Sequence, residues 1–117
     1  MGAERYRLTE QAAQDLQSIL LQSERMFGRA QRQKYEELLH LAAATIANDP
    51  ACLGSRSRDE FKPGARSFHL DRAARRRGAA AHILYYVAGN LEDGKPGVTI
   101  LRILHDHMDP ERHLGEP

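Results

Sequence analysis

Residues 82–104, HILYYVAGNLEDGKPGVTILRIL, contain two extended apolar runs joined by a polar segment. The runs at 82–87 and 98–104 are rich in β-branched and aromatic residues, which favour strands. The segment between them contains Gly, Asn and Asp, the residues that occur in tight turns between antiparallel strands. These residues therefore predict an antiparallel hairpin, and the rest of the chain must pack against it.

A third extended run, ARSFHL at 65–70, precedes this hairpin. The connection DRAARRRGAAA separates it from residue 82, and its glycine is suited to a second turn. A loop rich in Gly, Ser, Arg and Pro covers residues 50–64. We therefore expect the last three strands to form an antiparallel meander.

Two amphipathic helices precede the meander. Apolar residues with three- and four-residue spacing predict a first helix ending near Phe27 and a second that begins at Arg29 and ends at NDP, 48–50, where Pro50 moves Asp49 out of the helical region. Gly28 supplies the turn between them, and the connection is so short that the helices must form an antiparallel hairpin. The first stripe comprises Ala12, Leu16, Ile19, Leu20, Met26 and Phe27, and the second comprises Tyr35, Leu38, Leu39, Ala42 and Ile46.

The fold class follows from the order of these elements. A short strand at 5–8 leads through Thr9 into the first helix. A helical hairpin with one apolar face is stable only if that face is covered, and the sheet offers the matching surface. We therefore predict an α+β fold of order β-α-α-β-β-β, with the helical hairpin packed on a small antiparallel sheet. A chain of 117 residues fits one domain, 1–117.

Composition excludes several classes of protein. No apolar run approaches the length that spans a bilayer, and the N-terminal residues lack the apolar stretch of a signal peptide. A cytoplasmic protein without membrane contact is therefore expected. Cys52 is the single cysteine, which rules out an internal disulfide, and no basic neighbour is placed to activate its thiol.

Positive charge is concentrated in the middle of the chain. The net charge is only +1, but residues 50–80 contain eight basic and three acidic side chains. A cluster of arginines attracts phosphate or carboxylate surfaces, although a solvated loop is the simpler interpretation. The candidate partner-binding residues here are Arg56, Arg58, Arg66, Arg75, Arg76 and Arg77.

The last strand runs into a polar cluster, HDHMDPERHL at 105–114. His105, His107 and Asp109 have the spacing of metal ligands on one strand face, but Pro110 ends the strand there. We therefore expect no metal and no cofactor, with Asp109 capping the turn that follows. The candidate partner-binding residues in this segment are His105, Met108, Asp109 and Arg112.

The chain resembles the ParE toxins of the ParE/RelE superfamily over residues 6–114. The resemblance rests on YRLTEQAAQDLQSIL, FGRAQRQKYEELLHLAAATIANDP, GARSF, HILYYV and above all TILRILHDHMDPERHL, in this order. The segment DRAARRRGAA is longer and more basic than the family leads us to expect. The resemblance implies a toxin of a type II toxin–antitoxin system, neutralised by a ParD-like antitoxin whose C-terminal segment wraps it.

The same resemblance leaves two targets open. ParE toxins act on DNA gyrase, and their complexes with antitoxin bind operator DNA through the antitoxin. RelE-like relatives are endoribonucleases that cut messenger RNA on the ribosome, which is the alternative function. Fold alone does not separate these activities.

Ribonuclease chemistry requires an acid, a base and cations that converge on one phosphate. In RelE-like nucleases basic residues on the sheet and a Tyr or His near the last strand have these roles, and the resemblance therefore implies Arg66, Arg102 and His105 as candidates, with Tyr85 or Tyr86 behind them. Simple alternation places Arg102 on one face with Ile100 and Leu104, and His105 on the other with Leu101 and Ile103. The RelE-like nucleases have a C-terminal basic run ending in a catalytic tyrosine, and this sequence has no such run. We therefore expect a non-enzymatic inhibitor, with an endoribonuclease as the alternative.

Overall fold

A computed structural model describes residues 5–114 of the chain. Its elements are β1 (Tyr6–Leu8), α1 (Glu10–Phe27), α2 (Arg29–Asn48), β2 (Arg56–Ser57), β3 (Ala65–His69), α3 (Leu70–Ala74), β4 (His82–Asn90), β5 (Pro96–His105) and α4 (Glu111–Leu114). The α+β class and the helical hairpin that precedes the meander are confirmed.

The sheet has five strands in the order β1-β5-β4-β3-β2. The pairs β3–β4 and β4–β5 are antiparallel, so the predicted meander is confirmed. β1 adds a parallel pair, with Tyr6 beside Val98, and the sheet is therefore mixed. The residues of β1 indicated a strand but carried no information on its partner, which is set by the path of the helical hairpin across the sheet.

The helical hairpin forms as its sequence predicts. Thr9 Oγ1 accepts a hydrogen bond from the Ala12 N–H at 3.1 Å and caps α1. Gly28 joins the helices with a φ of 93°, a conformation that glycine adopts without the steric cost of a Cβ atom. Both helices bury apolar residues against one face of the sheet, where the core includes Leu20, Ile46, Phe68, Leu84, Tyr86, Ile100 and Ile103.

Three short elements were not predicted: β2, α3 and α4. The strand predicted at 65–70 ends one residue early, because Leu70 turns into the core and begins α3. The connection after it therefore contains a helical turn. The two strands of the central hairpin are longer than predicted, reaching Asn90 and beginning at Pro96.

A β-bulge changes which residues of β5 share a face. Tyr85 pairs with Arg102, whereas the next residue, Tyr86, pairs with Ile100, so Leu101 is left without a partner across the ladder. Adjacent strand residues point to opposite faces. The prediction that Arg102 shares a face with Ile100 is therefore wrong, because simple alternation does not account for a bulge.

Candidate partner-binding surface

An apolar groove of about 720 Å³ lies between the Gly28 end of the helical hairpin, where α1 turns into α2, and the start of β4. We call it the hairpin groove; its main lining residues are Ile19, Met26, Phe27, Tyr35, Ala80 and His82. Met26 and Phe27 were predicted to continue the core stripe of α1, but they are 62% and 67% exposed. The stripe is right in its spacing, but the sheet does not extend under the last turn of α1.

The floor of the groove holds a tyrosine–histidine pair. The Ala81 N–H donates to the Tyr35 hydroxyl at 3.3 Å, and that hydroxyl lies 2.7 Å from His82 Nδ1. Because the hydroxyl already accepts one bond, we assign its proton to the bond with Nδ1. Burial, helped by repulsion from His105, lowers the pKa of His82 to about 4. The pair is therefore neutral at physiological pH.

A second cavity of about 480 Å³ is lined by arginines. We call it the arginine pocket; it lies on the sheet face away from the helical hairpin, beside Ser67 and Ile83. Among residues 5–114, Asp71 is the one carboxylate in its lining. The arginines are Arg56, Arg58, Arg72, Arg75, Arg76 and Arg77. The pocket is thus strongly electropositive and suited to a polyanionic or acidic partner.

The helix α3 and its left-handed end assemble this pocket. Arg75 has a φ of 56° and its N–H bonds back to the Arg72 carbonyl, so the chain reverses within one turn. Five of the predicted partner-binding arginines are gathered here together with Arg72, which was not predicted. Nothing in the sequence distinguished Arg72 from other exposed arginines, because its segment was expected to be the loop of a β-hairpin.

Arg66 lies outside both cavities. It pairs across the sheet with Tyr86, and its Nη2 donates to Ser55 Oγ at 2.8 Å. Its Nε is buried without a hydrogen-bond partner among residues 5–114. Arg66 therefore contacts the loop after α2 and does not line the arginine pocket.

Arg102 is bound to Asp15 of α1. Its Nε and Nη2 donate to the two carboxylate oxygens at 2.7 and 2.9 Å, and the side chains of the pair are only 17% and 15% exposed. Asp15 also accepts from the Ile103 N–H at 3.0 Å, which covers the edge of β5 beyond the end of β1. His105 lies elsewhere, at the hairpin groove, where its ring makes an edge-to-face contact with the ring of His82. The three ribonuclease candidates Arg66, Arg102 and His105 are thus in three different places.

The segment after β5 is a surface turn. Asp109 Oδ1 accepts from the Glu111 N–H at 3.0 Å, so it caps the turn that follows, as predicted. Met108 and Arg112 are exposed beside it. The alternative metal trio with Asp109 is wrong, because the donors that come together are His105, Asp106 and His107. The alternating pattern of a strand places Asp106 on the face opposite His105 and His107, and only the geometry of the turn shows that its carboxylate lies beside both histidines.

Comparison with known proteins identifies the family. The model of the family described as "ParE toxin of type II toxin-antitoxin system, parDE" matches residues 6–110. This chain belongs to the ParE toxin family. It is 31% identical over 110 residues to Toxin ParE1 of Caulobacter vibrioides (strain ATCC 19089 / CIP 103742 / CB 15), a match that covers 94% of this chain and 97% of that protein. No helix within residues 5–114 of this ParE-family chain is long and apolar enough to cross a membrane.

Proposed function

We propose that this ParE-family chain stops growth by binding DNA gyrase, without cutting a substrate, and that a ParD-like antitoxin silences it by occupying the hairpin groove. The observation that carries the proposal is the groove itself. Two large apolar side chains, Met26 and Phe27, stand exposed beside a concave apolar surface. Such a groove fits the apolar face of an amphipathic helix.

The arginine pocket supports the same partner. Residues 75–77 line the pocket and residues 78–82 line the groove, so one stretch of chain connects the two surfaces. A segment with an apolar face and flanking carboxylates would contact both at once. Charge complementarity of this kind increases the association rate and the specificity of binding.

The arrangement of groups favours binding over catalysis. Tyr35, His82 and His105 line the hairpin groove, whose lining in the described chain contains no arginine or lysine. The arginines line the other pocket together with His69, and both ring nitrogens of that histidine are already in contact with carboxylates, those of Asp71 and Asp106. Cleavage of RNA needs both kinds of group around one phosphate. The ribonuclease candidates Arg66, Arg102 and His105 lie apart and the imidazole beside the arginines is engaged by two carboxylates, which supports an inhibitor that binds its target over the alternative, a ribosome-dependent endoribonuclease.

The target can be tested with purified protein. We expect the chain to inhibit supercoiling by DNA gyrase and to leave messenger RNA intact on translating ribosomes. Arg102→Ala and His105→Ala serve as variants in the ribosome assay. Cleavage that either substitution abolishes would overturn the proposal in favour of the endoribonuclease.

The antitoxin contact can be tested through charge. Replacing Arg75, Arg76 and Arg77 with Ala should weaken binding of the antitoxin and flatten its dependence on salt. A control that replaces Arg7, Lys62 and Lys95 removes the same charge from exposed positions outside both cavities. Equal losses in the two variants would show that overall charge, and not the arginine pocket, determines the affinity.

A further inference from the structure

Three metal-ligating side chains meet in the turn that follows β5. One donor atom from each of His105, Asp106 and His107 lies within 4.8 Å of the other two. We propose that this turn binds a divalent ion of the zinc class, with His69 as a positioning residue. Two imidazoles and one carboxylate suit zinc, cobalt or nickel better than magnesium or calcium, which prefer oxygen ligands alone.

The distances between donors fit a tetrahedral ion. Asp106 Oδ1 lies 3.4 Å from His105 Nδ1 and 3.8 Å from His107 Nε2. Zinc bonds of about 2.0–2.2 Å at tetrahedral angles separate neighbouring ligand atoms by roughly 3.3–3.6 Å. The carboxylate oxygen is therefore already at, or a few tenths of an ångström from, the spacing that the ion requires on both sides.

A chain of hydrogen bonds orients the carboxylate. His69 Nε2 lies 2.9 Å from Asp106 Oδ2, which leaves Oδ1 facing the two histidines. His69 Nδ1 in turn lies 2.8 Å from Asp71 Oδ1. The Asp71 N–H donates to His69 Nδ1 at 3.2 Å, which makes Nδ1 the accepting nitrogen and places the ring proton on Nε2, in the bond to Asp106 Oδ2. Metal sites commonly hold their ligands in place through such outer contacts.

The histidines are in a suitable state and position. His105 Nδ1 accepts from the His107 N–H at 3.1 Å, which marks it as the unprotonated nitrogen, with its lone pair directed into the turn. An ion would replace that N–H as its partner. The His107 side chain is 89% exposed and can move to complete the site. Three protein ligands leave one tetrahedral position for water.

Titration of the untagged full-length chain with zinc, after removal of metal by EDTA, tests the proposal by calorimetry. We expect one ion per chain. His107→Ala should weaken binding at least tenfold; this side chain is so exposed that its loss leaves the fold intact. His113→Ala is the control, since that histidine lies outside the cluster and should not change the affinity. Absence of stoichiometric zinc binding, or equal affinity of the His107 variant and the wild type, would overturn the proposal.

Cobalt distinguishes positioning from a purely structural role. Bound Co²⁺ should give the intense visible absorption of a tetrahedral ion in the wild type. Because His69 orients the carboxylate without binding the ion, His69→Ala should weaken binding about 10–100-fold and change that spectrum, while the far-ultraviolet circular dichroism stays unchanged. A cobalt affinity and spectrum identical to wild type in this variant would remove His69 from the site.

Discussion

The bond between Asp15 and Arg102 is the polar contact on which we expect the fold to depend most. Asp15→Ala removes the partner of an 83%-covered guanidinium side chain and also the acceptor of the Ile103 N–H. Breaking a fully buried ion pair in this way costs about 3–5 kcal/mol. Residual exposure of the pair reduces this, so we expect the free energy of unfolding to fall by roughly 2–4 kcal/mol.

Urea denaturation of the purified chain measures this loss. Asp15→Ala combined with Arg102→Leu should recover much of the stability, because no unpaired charge is then left at the edge of β5. Asp93→Ala is the matched control: Arg5 binds Asp93 through the same two-pronged contact, but that pair is exposed and screened by water. Equal destabilisation by Asp15→Ala and Asp93→Ala, or a double variant no more stable than Asp15→Ala, would refute the reasoning.

Three further predictions concern the groove, the central hairpin and pH. Phe27→Ser should weaken antitoxin binding at least tenfold and leave thermal stability nearly unchanged, whereas Leu53→Ser, at a 97% exposed position, should change neither. Gly97→Ala should lower the free energy of unfolding by about 1–3 kcal/mol, because the added Cβ would lie 2.5 Å from the backbone oxygen of Arg5. Gly89, which pairs with Gly97 across the two strands, has open space where a Cβ would lie, so Gly89→Ala is the control. In EDTA, stability should fall as the pH decreases from 6.5 to about 4, because the unfolded chain protonates at His82 first. The shift corresponds to about 3 kcal/mol, or roughly 1–2 after solvent screening, and His82→Gln should remove that part of the pH dependence when urea curves are compared across pH.

The sequence predicts those parts of the fold that depend on local periodicity. The apolar spacing before Gly28 identifies α1, and the turn residues between β4 and β5 identify the central hairpin, because both signals arise from neighbouring residues. The partner of β1 and the bulge at Leu101 are not predictable in this way. Both depend on how distant segments meet, and a single extra residue reverses the faces of the strand.

The candidate surface was predictable in its charge and less so in its shape. Counting arginines between residues 50 and 80 identifies most of the arginine pocket, since their clustering in sequence is preserved by the turn of α3. Met26 and Phe27 have the pattern of core residues, and only the limited extent of the sheet exposes them. Asp15 resembles any polar residue on the solvent face of a helix, and only its position at the β5 edge shows its role.

The central claim is that this ParE-family chain acts by binding a replication enzyme and not by cleaving messenger RNA. Pulse labelling with thymidine and leucine after induction of the chain alone tests it most directly. The account predicts that DNA synthesis falls first and cells form filaments, with growth restored when the antitoxin is induced. Leucine incorporation that collapses before thymidine incorporation would contradict it.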